Sequence, residues 1–169
     1  MNYEIEYIGK KMSMFDPNKP INDIERLIVG EKMPQSDRIT WPSKSSVPDW
    51  ISGSIGFLDF IEVEKEEKFI DLYMIGIEPN YRRQGYATKL IKALEDTTIK
   101  RKISKIEVHG IFIENKPMLF LIEKLGYKQI LGDEIYEICL PWREYLKEKP
   151  WFKSNCSFEK YLENSTNKI

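Results

Sequence analysis

The sequence predicts an α+β domain, a mixed and mostly antiparallel central sheet of six to seven strands with flanking helices. Three observations carry that prediction. SIGFLDFIEVE (54–64) and FIDLYMIGI (69–77) are strand-length apolar runs joined by the charged turn Glu64–Lys68, the pattern of an antiparallel hairpin. Residues 85–99 carry Ala87, Leu90, Ile91, Leu94 and Thr98 at helical spacing, with Lys89, Lys92, Glu95 and Asp96 facing out. YKQIL and EIYEICL then read as two closing strands about the turn Gly132-Asp133.

The other elements follow in chain order. YEIEYI (3–8) alternates apolar and polar residues, as a half-buried strand does. Asn22 or Asp23 caps a short helix with Ile24, Leu27 and Ile28 on one face. From Glu31 to Trp50 the chain holds Pro34, Pro42, Pro48 and scattered serines, a loop with a short strand at 38–41. A stretch of that length inside a compact domain is commonly functional. Pro79 ends the second hairpin strand, because it has no N–H to give a ladder. KIEVHGIFI (105–113) is a further strand. Asn115 caps a helix through MLFLIEKL, and Gly126 suits its left-handed stop.

Residues 1–140 thus make one domain, with 141–169 as an extension. In it PWREYLKEKPWF and FEKYL read as short amphipathic pieces, and ENSTNKI as a disordered end. Trp142, Tyr145, Trp151, Phe152, Phe158 and Tyr161 are expected to dock on the domain surface, a homodimer contact being the alternative.

Composition bounds the function. At 169 residues the chain can bury about 70% of its unfolded surface, so it needs no staples. Cys139 and Cys156 are too few and too far apart for a disulfide framework or a metal cluster. The N-terminus has no apolar signal region and no run is long enough to span a membrane, which points to a cytoplasmic protein with no membrane partner. A net charge of −1 argues against nucleic acid as a partner. Charge is unevenly placed, however. Arg82, Arg83, Lys89, Lys92, Lys100, Arg101, Lys102 and Lys105 make 81–105 basic, while Asp59, Glu62, Glu64, Glu66, Glu67 and Asp71 make 59–71 acidic.

The stretch YRRQGYATKL (81–90) puts two arginines at the opening of a helix, where the dipole disfavours cations. A strand, a Pro-containing turn and a glycine at the first helical turn expose several backbone N–H groups together, and such a cradle holds phosphate. Arginines are tolerable there if their partner is a polyphosphate. The alternative is a basic loop in which Gly85 only permits the turn.

Residues 72–90, LYMIGIEPNYRRQGYATKL, resemble the central motif of the GNAT superfamily of acetyl-CoA-dependent N-acyltransferases, with Arg82-x-x-Gly85-x-Ala87 in the place of its [Q/R]-x-x-G-x-[G/A]. NKPMLFLIEKLGY (115–127) resembles the second motif, an Asn opening a helix that ends in E-K-x-G-[F/Y]. The resemblance spans roughly residues 3–140 and implies the family's α/β/α three-layer arrangement. It also implies acetyl-CoA as cosubstrate. Backbone N–H groups of Arg83, Gln84, Gly85, Tyr86, Ala87 and Thr88 would hold the pyrophosphate, beside the arginine at 82. Met74 to Ile77, with Ile75 and Ile77 as contacts, would pair with the pantetheine arm in a splay before the 105–113 strand. Asn115 would hydrogen-bond the arm.

The same resemblance implies acyl transfer to a primary amine of a small molecule or a peptide. An amine of pKa ~10 is charged at neutral pH, so a base or a desolvating pocket is required. Asp71 lies six residues before Ile77, a register at which some histone-type members carry a glutamate, and is the first candidate base. Glu107 and His109, on one face of the next strand, are alternatives. The carbonyl oxygen would meet a backbone N–H near Ile75. Where many members carry a tyrosine acid this chain has Ile122, so that role does not carry over. Tyr73, Tyr127 and Tyr136 are unranked substitutes, and a tyrosine placed at 122 would be expected to restore a phenol near the sulfur. Trp41, Trp50, Asp133 and Glu134 fall where the acceptor approaches. A non-catalytic acyl-CoA-binding or interaction module with the same fold is the competing reading, motivated by Ile122 and the aromatic extension.

Overall fold

The computed structural model describes residues 4–11, 24–30, 54–130 and 155–163. In chain order they form β1 (Ile5–Lys11), β2 (Ile24–Gly30), β3 (Ser54–Val63), β4 (Phe69–Ile77), α1 (Tyr86–Lys100), β5 (Lys105–Phe112), α2 (Lys116–Lys124), β6 (Lys128–Ile130) and β7 (Asn155–Tyr161). The seven strands make one open sheet in the order β1-β2-β3-β4-β5-β7-β6. Only β4 and β5 run parallel, joined through α1; the other neighbours are antiparallel. The α+β class and the mixed, mostly antiparallel sheet are therefore as the sequence predicts.

The core sits between one sheet face and both helices. Leu90, Ile91 and Leu94 of α1 and Ile122 of α2 meet Leu58, Phe60, Ile70, Leu72, Ile106, Val108 and Phe158. Each such side chain contributes about 1.5–3 kcal/mol on burial, enough to hold α1 where its own propensity would not. The opposite face carries a smaller cluster of Ile24, Ile61, Val63 and Phe69, with Tyr73 against it.

Two expectations are corrected. Residues 24–30 are not a helix but the strand β2, paired with β1 on one side and β3 on the other. Ile24, Leu27 and Ile28 fit a helical stripe, but the segment is buried on both faces, which suits a strand between two others. Residues 155–161 do not lie on the surface as an amphipathic piece. They form β7, inserted between β5 and β6, with Phe158 in the core. The loop 31–50, the closing strand at 134–140, its turn, Trp41, Trp50, Asp133, Glu134 and Tyr136 lie outside the described residues.

Burying β2 also buries its charges. Glu25 is 1% exposed and receives both Nη1 and Nη2 of Arg101, at 2.6 and 2.7 Å. Arg101 also reaches Glu62, and the Tyr7 hydroxyl donates to Glu25. Asp59 is likewise held by two bonds from Arg26. Removing one partner of such a pair strands a buried charge. Arg101→Leu is expected to lower unfolding free energy by about 3–5 kcal/mol in chemical denaturation, and a loss under ~1 kcal/mol would show that the pair is not holding α1 to β2.

Candidate active site

The site begins where β4 and β5 part. They pair only over Ile70–Leu72 against Ile106–Val108. Both strands bulge at that height. On β4, Tyr73 is the extra residue between Leu72 and Met74, opposite Phe60 and Asp59. On β5, an extra residue falls between Val108 and Ile111, opposite Phe158 and Cys156. Gly110 in that bulge has φ +73°, a left-handed backbone that glycine adopts without strain. A bulge bends and twists its strand, so two of them at one level drive the strands apart. Beyond Leu72, β4 has no strand partner on its β5 side among the described residues. The predicted splay is thus present. Leu72 and Ile77 are five residue steps apart on β4, about 17 Å of open strand edge.

At the far end of that edge lies the basic turn. A 3₁₀ turn, Pro79–Tyr81, leads through an extended Arg82 to Arg83 and Gly85, both left-handed at φ +60° and +86°. Left-handed residues in such a turn direct backbone N–H groups into a concavity. The side chains stabilise the turn itself: Arg82 Nε donates to the Ile77 carbonyl at 3.1 Å and Gln84 Nε2 to that of Asn80 at 3.0 Å. α1 starts without a side-chain cap and without an acidic residue in its first turn. Its opening N–H groups therefore have no intrahelical acceptor, and Lys89 N to Gly85 O is the first helical bond. A Cβ built on Gly85 would meet nothing within 4 Å, so the space before those amides is open. An uncapped, basic, glycine-lined helix start is a fit for a polyphosphate. Asn115 is exposed and caps α2, its Oδ1 accepting from Met118 N at 3.4 Å. Its amide N–H groups are not consumed by that bond.

At the apex, on the face away from α1, ionisable groups gather. Asp71 of β4 and Glu107 of β5 are paired neighbours within the last joined rows, and Asp71 is completely buried. His109 lies just past the last pair. Its side chain is 4% exposed, and its Nε2 is 2.8 Å from Glu107 Oε2. Its Nδ1 is buried with no hydrogen-bond partner. Glu107 also meets Lys105 Nζ at 2.9 Å. Burial pushes the Glu107 carboxyl up, but the His109 and Lys105 contacts outweigh it and hold the group below the usual glutamate range. Whenever the imidazole is neutral with its proton on Nε2, that proton is donated to Glu107 and Nδ1 carries the lone pair.

The tyrosine question resolves by placement. Ile122 is 0% exposed in the core between α2 and the sheet, so a tyrosine there would overpack it rather than offer a phenol to the splay. Tyr127 follows the C-terminal end of α2, away from Asn115 at its start, and burial holds its hydroxyl well above the usual range. Tyr73 sits at the β4 bulge itself. The sequence singles out Asp71, Glu107 and His109 but not the two bulges that set them at this apex: Gly110 inside a strand run is a bulge signal, whereas the apolar run around Tyr73 carries none.

Solved structures of other proteins share the fold. Arabidopsis thaliana NAA60 in complex with a bisubstrate analogue aligns with TM-score 0.55 and 17% identity, covering 85% of this chain and 78% of that one. An IAA acetyltransferase from Bacillus cereus aligns with TM-score 0.52 and 13% identity, covering 82% and 78%. A GNAT-family acetyltransferase from Staphylococcus aureus aligns with TM-score 0.51 and 13% identity, covering 83% and 68%. No curated protein matches the sequence. The model of the acetyltransferase (GNAT) family matches residues 28–127, which takes in the splayed strands, the basic turn and α2. With more than half of its length matched, and with the geometry that the two motifs imply, the chain belongs to the GNAT acetyltransferase family.

Proposed function

We propose that the protein transfers the acetyl group of acetyl-CoA to a primary amine of a small molecule or peptide. The observation that carries this is the splay, about 17 Å of open strand edge, with the uncapped basic start of α1 at one end and the buried His109 ring at the other. Acetyl-CoA supplies a thioester, whose carbonyl carbon is open to attack by an amine.

The chain's own residues divide the remaining work. The N–H groups from Arg83 to Thr88 bind the pyrophosphate, with the arginines at 82 and 83 adding charge. The open edge from Met74 to Ile77, with Ile75 and Ile77 in it, holds the pantetheine arm as a further strand would, and Asn115 adds a hydrogen bond. A backbone N–H of this edge near Ile75 faces the oxygen that gathers charge. For the proton acceptor the geometry favours His109 over Asp71. Asp71 belongs to a row where the strands are still paired, whereas His109 follows Val108, the last paired residue of β5. Its Nδ1 has no hydrogen-bond partner, and Glu107 stabilises the charge that arises on the ring when a proton arrives.

Ile122 favours a second reading, a CoA-binding module without turnover, because the position that supplies an acid in many members is here a core residue. Two measurements decide. Calorimetry with acetyl-CoA is expected to show binding, and no heat at high micromolar ligand would end both readings. A thiol-release assay over polyamines, aminoglycosides, amino acids and peptides is expected to find an acceptor. Turnover with any of them excludes the module.

A further inference from the structure

His109 is the innermost member of a chain of four ionisable groups. Glu67, on the turn between β3 and β4, lies 3.0 Å from Lys105 Nζ; Lys105 lies 2.9 Å from Glu107 Oε1; Glu107 Oε2 lies 2.8 Å from His109 Nε2. Side-chain exposure is 48% at Glu67, 11% at Lys105, 13% at Glu107 and 4% at His109, so only the outer end is open to solvent. The Lys105 ammonium is further confined by the Phe69 and Tyr161 rings, at 5.0 and 5.8 Å to their centroids.

Glu107 needs that cation. Its cross-strand neighbours are Asp71 on β4 and Glu159 on β7, both on its own face of the sheet. Lys128 of β6 pairs with Glu159, one strand further out. Tyr73, Tyr161, Ser157 and the Arg26–Asp59 pair also lie on this face. An acid set between two acids in a largely buried site favours its protonated form. Lys105 is the lysine in contact with it.

We propose that Lys105 is a positioning residue for the proton acceptor: it keeps Glu107 ionised, and the ionised carboxylate holds His109 in the Nε2–H tautomer with Nδ1 unprotonated. Without Lys105, Glu107 takes up a proton and donates it to Nε2. The ring proton then moves to Nδ1, and the nitrogen at the splay is no longer a base. The tautomer is argued from the Glu107 and Lys105 contacts, whereas its catalytic consequence rests on the acetyltransferase reading above.

The chain contains a single histidine, so one imidazole spectrum reports it without assignment. Nitrogen-15 NMR of the ring at mildly alkaline pH is expected to show protonated Nε2 and unprotonated Nδ1 in the parent. An Nδ1–H signal in the parent overturns the proposal before any variant is made. In Lys105→Met the ring is expected to shift to Nδ1–H or to a mixture, while Lys105→Arg, which keeps the charge, retains the parent pattern. A folded Lys105→Met with the parent tautomer also overturns it. If Lys105→Met does not fold, Lys105→Gln, which removes the charge but keeps a polar side chain beside Glu107, tests the same step, and it is expected to move the ring toward Nδ1–H; no movement counts against the proposal. With an acceptor in hand, Lys105→Met is expected to lower kcat ~10-fold near neutral pH and to move the acid limb of the rate profile upward, with KM for acetyl-CoA unchanged. The two readings fail separately. Full activity in a His109 variant removes the base role and leaves the tautomer standing.

Discussion

His109→Gln is expected to lower kcat by roughly 10²–10⁴-fold while leaving the affinity for acetyl-CoA unchanged. Glutamine is the informative substitution because its amide can still donate to Glu107 Oε2, now 2.8 Å from Nε2, and can fill most of the buried volume. What it lacks is a basic nitrogen in the place of Nδ1. The acid limb of the rate profile should disappear with the imidazole, since the glutamine amide takes up no proton in its place. His109→Ala should show the same loss together with some instability, because it empties a buried site. Asp71→Asn is the counterpart. If it abolishes turnover while His109→Gln retains parental kcat and pH dependence, the proton acceptor is Asp71 and the apex has been misassigned.

Gly85→Val is expected to weaken acetyl-CoA binding at least tenfold in calorimetry, more than it weakens the fold. Gly85 has φ +86°, where an L-residue costs about 1–2 kcal/mol and a branched one fits worst. The side chain itself meets no protein atom within 4 Å. It would instead fill the space before the opening amides of α1, where a phosphate must come close. Gly126→Val separates strain from occlusion. Gly126 has φ +85° and a Cβ there would meet only Lys160 Cε, at 4.0 Å, so the backbone penalty is the same in kind. It stands after the C-terminal end of α2, and its substitution should leave acetyl-CoA affinity at the parental value. Equal affinity in Gly85→Val and the parent would reject the phosphate cradle.

Local pattern was enough for much of this fold. The hairpin of β3 and β4, the apolar stripe of α1, the cap at Asn115 and the left-handed stop at Gly126 all appear where residues within a few positions of one another require them. The basic turn was legible for the same reason, since arginine, glycine and the helix start are adjacent in the chain. What the sequence left undecided depends on partners far along it. Residues 24–30 satisfy a helical stripe and a buried strand equally well. Only Asp59, 33 positions away, and Arg101, 76 positions away, explain why Arg26 and Glu25 can be buried there. Residues 155–161 alternate like a strand but became one because β5 and β6 left a gap between them, whose backbone groups β7 satisfies. The apex is the extreme case. Asp71, Glu107, His109 and Glu159 come from three strands, and two bulges set the point at which the sheet opens. Periodicity records which face a residue prefers, but the pairing register that makes four such residues neighbours is settled only when the strands meet.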